Sequence, residues 1–322
     1  MGGNVFKDGS TRRYSAQEYY SLLRRLELPL SKVGSKYAAL KTPKDKESFG
    51  DADILIIPNQ EWSVHLLSAV FETTLDHVSR NGDVWSLVFE EIQVDLMTTN
   101  GEEFDAHYDY KNFSDFGNLR GKIIHKFGLK FGHDGLIFPV RSENHVIGNI
   151  VLSRDPTKIN SVFDFEMTDS VDTLEEMFDI VMASKFFNPA VFAWDAMNAV
   201  ARIRDKKRAT YHAFLGYLET HKKESVYIFH ANKLDYLPFI FENFPDAKTG
   251  FDALWAKKEK YDEFKKRFNG DLVSDWTGFK EKELGELMKL LKNHISPDNV
   301  YYMTDNGIKA ITLSVANKMS QL

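Results

Sequence analysis

Cysteine is missing from all 322 residues, which excludes disulfides, thiolate zinc sites and cysteine nucleophiles. Long uncharged apolar runs are missing as well, so no transmembrane helix and no membrane partner are expected. The opening Met-Gly-Gly-Asn-Val-Phe lacks the basic-then-apolar layout of a secretory signal. It also has Phe6 where a myristoylation site needs Ser or Thr, so a cytoplasmic protein is expected. The ten histidines form no pair with zinc spacing. No fixed-period repeat and no low-complexity linker interrupt the chain.

What is present is ordinary globular composition with an aromatic bias. Apolar residues make up 43% and charged residues 27%, and the 25 phenylalanines predict a core with a large aromatic share. The net charge of -6 is unevenly spread: residues 200–322 carry 21 Lys+Arg against 17 Asp+Glu, and residues 1–199 carry 20 against 30. An acidic half beside a mildly basic half suits a metal-binding domain joined to one that contacts a polyanion.

The pattern divides in the same way. Residues 16–27 predict a helix with Ser15 as N-cap. GDADILII predicts a turn and then a strand, and Trp62 to Phe71 place an amphipathic helix over 60–80. WSLVFEEIQVDLMTT predicts a strand, or a hairpin turning at Glu90 and Glu91. A helix over 115–127 precedes a glycine-punctuated hairpin. From about residue 164 the periodicity is mainly helical. The expected fold class is α+β, with domains at 1–160 and 161–322.

Asp51 and Asp53 stand two residues apart at the start of a strand, so alternation puts both side chains on one face. Asp95, in the apolar run IQVDLM, is costly to bury unless it is paired or bound to a cation. Three aspartates on adjacent strands meet the needs of a two-metal phosphoryl-transfer site, and hard oxygen ligands suit Mg²⁺ or Mn²⁺. Upstream lie Gly34, Ser35 and Lys36, then Lys41, Lys44 and Lys46, then Ser48 and Gly50. A Gly-Ser turn lets the backbone approach a phosphate.

The ordered set GS…GDADILI…VDLM resembles the signature of the DNA-polymerase-β-like nucleotidyltransferase superfamily. More narrowly, MGGNVFK, KESFGDADILI and LRGKIIHKFGLKFGHDGL resemble nucleotidyltransferases encoded by bacteriophages and large viruses, which would put the protein in a host cytoplasm. The resemblance implies a polymerase-β-type palm with a mixed sheet. It implies that Gly34 and Ser35 support the phosphates of an incoming nucleoside triphosphate such as ATP. It implies that Asp51 and Asp53 bind two Mg²⁺ (or Mn²⁺) ions and that Asp95 completes the site near the acceptor hydroxyl. The long gap from Ser35 to Asp51 leaves either Ser35 or Ser48 as the phosphate-contacting serine. Arg120, Lys126 and Lys130 are further candidate triphosphate ligands, as are Arg12 and Arg13. The motif at His133–Gly135 has no second metal-ligand cluster and is expected to be a turn.

In the second half, FNGDLVSDWTGFKEKELGELMKLLKN resembles the helical RNA-binding region of CCA-adding tRNA nucleotidyltransferases and poly(A) polymerases. Lys280-Glu281-Lys282 replaces that family's Pro-Gly-Pro turn. The resemblance implies an RNA acceptor, a tRNA 3′ end above all. Arg202, Arg204, Lys206, Lys207 and Arg208 are candidate RNA-backbone contacts. The cations at 257–267 pair with acids at i, i+4 spacing and suit a solvated helix face. The expected activity is transfer of NMP from an NTP to an acceptor hydroxyl with release of pyrophosphate. The alternatives are nucleotidylation of a protein or small molecule, and an inactive RNA-binding module.

Overall fold

The computed structural model describes residues 5–143, 145–168, 170–223 and 226–321. The chain begins with a short strand, β1 (Tyr14–Ser15), and a long helix, α1 (Ala16–Val33). A capping box sets the start of α1. Glu18 N–H donates to the Ser15 hydroxyl, and the Glu18 carboxylate accepts from Ser15 N–H at 2.8 Å. The helix outlasts the expected 16–27 and runs through Pro29, because Leu30 and Val33 still have core to bury.

The strands that follow are β2 (Gly34–Ala39), β3 (Ser48–Phe49) and β4 (Asp51–Pro58). Helix α2 (Val64–Val70) covers only the first part of the helix expected over 60–80. The chain turns at Glu72, with φ +53°, and enters β5 (Val78–Asn81). The hairpin β6 (Val84–Phe89) to β7 (Ile92–Thr98) turns at Glu90 and Glu91, the second of the two arrangements the sequence allows. These strands form a five-stranded mixed sheet in the order β2-β4-β7-β6-β5. β4 and β7 run parallel at its centre and the other pairs are antiparallel.

Alternation gives the sheet two unlike faces. Ala52, Ile54 and Ile56 of β4 and Val94 and Leu96 of β7 join the core under α1 and α2. The opposite face carries Asp51, Asp53 and Asp95, then Leu55 and Met97, which Phe104 covers. Phe104 opens α3 (Phe104–Lys111), which is followed by α4 (Phe116–Lys126).

A three-stranded sheet follows: β8 (Lys130–Gly132), β9 (Gly135–Ser142) and β10 (His145–Ser153), in the order β10-β9-β8. His133 and Asp134 form the turn between its first two strands, and Gly135 adopts φ +97°. Beyond β10 the described chain is helical: α5 (Pro156–Val162), α6 (Leu174–Ala183), α7 (Ala199–Asp205), α8 (Ala209–Thr220) and α9 (Leu237–Asn243). The abundant phenylalanine gathers here, where Phe127 meets the rings of Phe163, Phe186, Tyr236 and Phe239.

Packing divides the chain elsewhere than at residue 160. One compact unit comprises residues 1–139 and 151–244, so α5 to α9 belong with the mixed sheet. The other comprises 140–150 and 245–322 and holds α10 (Asp246–Arg267), α11 (Gly270–Thr277), α12 (Glu281–Leu291) and α13 (Asp305–Met319). Val273, Leu287, Leu291 and Ile308 make its own core. Asn269 caps α11 and Gly278 ends it at φ +77°. A Cβ at Gly285 would meet nothing within 4 Å, so that glycine makes no close packing contact. Among the described residues, no helix is long and apolar enough to cross a membrane.

Candidate metal centre

Two adjacent parallel strands build the site. Asp53 lies opposite Asp95, and Asp51 lies opposite Gln93. One carboxylate oxygen from each of Asp51, Asp53 and Asp95 can be chosen so that all three lie within 4.8 Å of one another. All three side chains are half-buried. Their neighbours at even positions are core residues, so the hydrophobic requirement of β4 and β7 forces the acids onto the shared opposite face.

The third acid is braced from two sides. Gln93 is only 2% exposed, and its Nε2 donates to Asp95 Oδ1 at 2.9 Å and to Oδ2 at 3.0 Å. The Val5 N–H donates to Gln93 Oε1 at 2.9 Å, which fixes the orientation of that amide. Ser86, opposite Asp95 on β6, also hydrogen-bonds to its carboxylate.

Charge crowding is incompletely relieved. Burial, then the like charges of Asp51 and Asp95, push the Asp53 carboxyl up to about 7. Burial raises Asp95 too, while the hydrogen bonds from Ser86 and Gln93 pull it back. Three hard oxygen donors within reach of one point, one of them reluctant to ionise alone, fit a divalent cation of the Mg²⁺ or Mn²⁺ type.

Cations flank the acids. Lys46 and Lys111 both favour the ionised form of Asp53. Burial lowers the Lys46 ammonium, with Asp51 and Asp53 opposing, and its Nζ sits 4.5 Å from the Phe49 ring centroid. Arg13 donates from Nε to Ser48 Oγ at 2.7 Å and from Nη2 to the Ser48 carbonyl at 2.9 Å. Ser48 and Gly50 therefore lie in the segment that leads directly into the acids.

Gly34, Ser35 and Lys36 do not. Gly34 pairs with Pro58 because β2 runs antiparallel to β4, and this sets it roughly 23 Å along the strand from Asp51 at about 3.3 Å per residue. Its missing side chain makes room for Ile56, since a Cβ there would come within 2.5 Å of Ile56 Cδ1. The Ser35 hydroxyl donates to the Ile57 carbonyl, and Lys36 Nζ is bound to Asp105 at 2.8 Å. Of the two candidate serines, Ser48 is the one beside the acids.

Arg120 is also corrected. It is fully buried and donates to Asp109 and Asn160, so no triphosphate reaches it. Lys130 is exposed but bound to Asp134, and Lys126 lies in the last turn of α4. Of the five candidate RNA-binding cations, Arg204 and Arg208 pair with Asp205, which is 0% exposed, and Arg208 also pairs with Asp115. Arg202 is half-buried and Lys206 and Lys207 are exposed, and none of the three forms an ion pair among the described residues.

Sequence reasoning missed Ser86, Gln93 and Lys111. Parity was the available signal for Gln93, which shares a face with Asp95; Ser86 and Lys111 depend on cross-strand register and helix docking. The chain matches no protein-family model and no curated protein, so its functional reading rests on this geometry.

Proposed function

We propose that the protein is a metal-dependent nucleotidyltransferase built on a polymerase-β-type palm. The observation that carries this reading is the convergence of Asp51, Asp53 and Asp95 on one face of β4 and β7. Divalent cations, when bound, neutralise triphosphate charge and lower the pKa of an attacking hydroxyl.

The chain's own groups divide the remaining work. Asp51 and Asp53 would hold the cations, and Lys46, Lys111 and Arg13 supply positive charge beside them for the phosphates. Asp95 faces β6 and is the carboxylate assigned to the acceptor. The acceptor hydroxyl oxygen forms a bond to the α-phosphorus, and the bond from that phosphorus to the bridging oxygen breaks. Pyrophosphate leaves with the electron pair, and the hydroxyl proton passes to Asp95. Gln93 and Ser86 hold the Asp95 carboxylate in place throughout.

An RNA 3′ end, with tRNA first, is the proposed acceptor, and Arg202, Lys206 and Lys207 are the cations available to its backbone. A protein or small-molecule acceptor is the second reading. It is favoured by the engagement of Arg204 and Arg208 with buried Asp205 and by the near-neutral C-terminal unit, with 14 Lys+Arg against 13 Asp+Glu. The deciding experiment incubates the protein with each α-³²P-labelled NTP, Mg²⁺ or Mn²⁺, and total tRNA, beside Asp51→Asn. Label on RNA with wild type alone supports the first reading. Label on protein moves the assignment to the second, and no turnover with any acceptor removes both.

A further inference from the structure

We propose that the cavity between α3 and α5 is the nucleoside pocket for the nucleotide whose phosphates the carboxylate site takes, an inference that rests on the transferase reading above. The cavity is about 510 Å³, and its walls include Tyr108 and Asp109 of α3, the C-cap Asn112 and the adjoining Phe113, and Asn160 and Ser161 of α5. A space of this size, in which polar side chains stand beside Phe113, Phe165 and Met167, suits a base and its ribose.

Its position connects it to the acids. Lys41 lines the cavity and directly follows Leu40, whose N–H donates to the Asp53 carbonyl at 2.9 Å. Lys111, whose charge acts on Asp53, ends α3 between Asp109 and the C-cap Asn112. The pocket therefore adjoins the Asp51–Asp53 strand on its β2 side, away from Asp95 and β6.

The charges are divided as such a ligand requires. Lys46, Arg13 and Lys111 gather at the carboxylates, whereas the cavity, Lys41 apart, offers amides, hydroxyls, aromatic rings and acids. A molecule with an anionic end and a neutral heteroaromatic end matches both regions. Inorganic phosphate matches only the first.

The cavity floor is fixed in advance. Arg120 Nη1 donates to Asp109 Oδ2 at 2.9 Å and to Asn160 Oδ1 at 2.5 Å, and Nη2 donates to the Asp109 carbonyl at 2.9 Å. Asn160 Nδ2 in turn donates to Asp109 Oδ1 at 3.3 Å, so the α3 and α5 walls are locked together. A wholly buried guanidinium whose Nε has no hydrogen-bond partner among the described residues is a poor device for stability alone. It is a good device for holding two ligand-facing side chains still. At the cavity edge Phe113 and the adjoining Ser114 take φ values of +57° and +61°, a conformation that bulky side chains rarely adopt and that clusters at functional sites.

The test compares non-hydrolysable α,β-methylene NTP analogues with inorganic tripolyphosphate, each with Mg²⁺, by calorimetry on the whole protein. Ser161→Trp and Thr157→Trp fill the cavity from exposed positions on α5, and circular dichroism checks that both variants fold. At least one analogue is expected to bind about tenfold or more tighter than tripolyphosphate. Both tryptophans should erase that advantage and leave tripolyphosphate binding unchanged. An advantage that is absent, or that survives both substitutions, overturns the pocket while the metal-site reading stands. If wild type binds neither tripolyphosphate nor any analogue, the transferase reading falls and the pocket falls with it.

Discussion

Asp53 and Asp95 are direct neighbours across the parallel β4–β7 ladder, so two carboxylates share one face at adjacent strand positions. Lys46 and Lys111 are the cations that act on Asp53, and they do not cancel the crowding. Burial and the neighbouring acids together therefore hold Asp53 back from ionising in the metal-free protein.

The Asp53 carboxyl lies at about 7 when folded, well above the ordinary aspartate value of 3.8. Below its unfolded value both states are protonated and there is no penalty. As pH rises from about 4 to about 7 the unfolded chain releases a proton that the folded chain keeps, so stability falls, and it is flat above. Metal-free protein should thus be about 2–4 kcal/mol more stable at about pH 5 than at about pH 8 from this group. Urea titrations in EDTA at the two pH values measure it. Asp53→Asn should remove most of the difference, and an unchanged difference would count against the Asp53 carboxyl as its source.

Asp51→Asn and Asp95→Asn should each lower nucleotidyl transfer by about a thousandfold or more, since each removes a charge that a divalent cation needs. Folding should be retained in both, as read by far-ultraviolet circular dichroism. Full activity in either variant would remove that residue from the site.

Gln93→Leu should weaken metal-dependent activity by about 10- to 100-fold, in the range of lost outer-sphere partners. The loss should be partly recovered at high Mn²⁺, because the acid is present but free to rotate. Titrating activity against metal concentration tests this. A uniform loss at every metal concentration would instead indicate a folding defect.

Ser35→Ala and Lys36→Ala should change transfer by less than about twofold, because both residues lie at the far end of β2. Lys46→Ala and Arg13→Ala should raise KM for the NTP by about tenfold or more. The reverse ranking would restore the Gly-Ser segment as the phosphate support.

Much of this arrangement was legible in the sequence. The Asp-x-Asp spacing and the apolar residues around Asp95 were enough to place three acids on one sheet face, and Glu90-Glu91 marked where a hairpin could turn. The helix expected over 60–80 failed because periodicity from Trp62 to Phe71 was extended too far. The Gly82–Asp83 turn, with Gly82 at φ +61°, lies just beyond it and makes the β5–β6 connection. The Gly-Ser assignment failed because sequence order carries no strand direction: antiparallel pairing sends Gly34 away from Asp51. Arg120 could not be told from a surface arginine, since its burial depends on Asp109 and on Asn160, forty residues later. The pairing of Arg204 and Arg208 likewise depends on Asp205 being wholly enclosed.

The parallel pairing of β4 and β7 also bears on how the protein folds. Parallel neighbours cannot be joined by a tight turn, and here α2, β5 and β6 intervene between Asp53 and Asp95. The three acids meet only through this non-local pairing, which must close the loop that the segment forms. An unfolded or half-folded chain therefore offers no such site to a cation. Whatever ion the finished sheet accepts stabilises it by mass action, and affinity for that ion reports completion of the sheet.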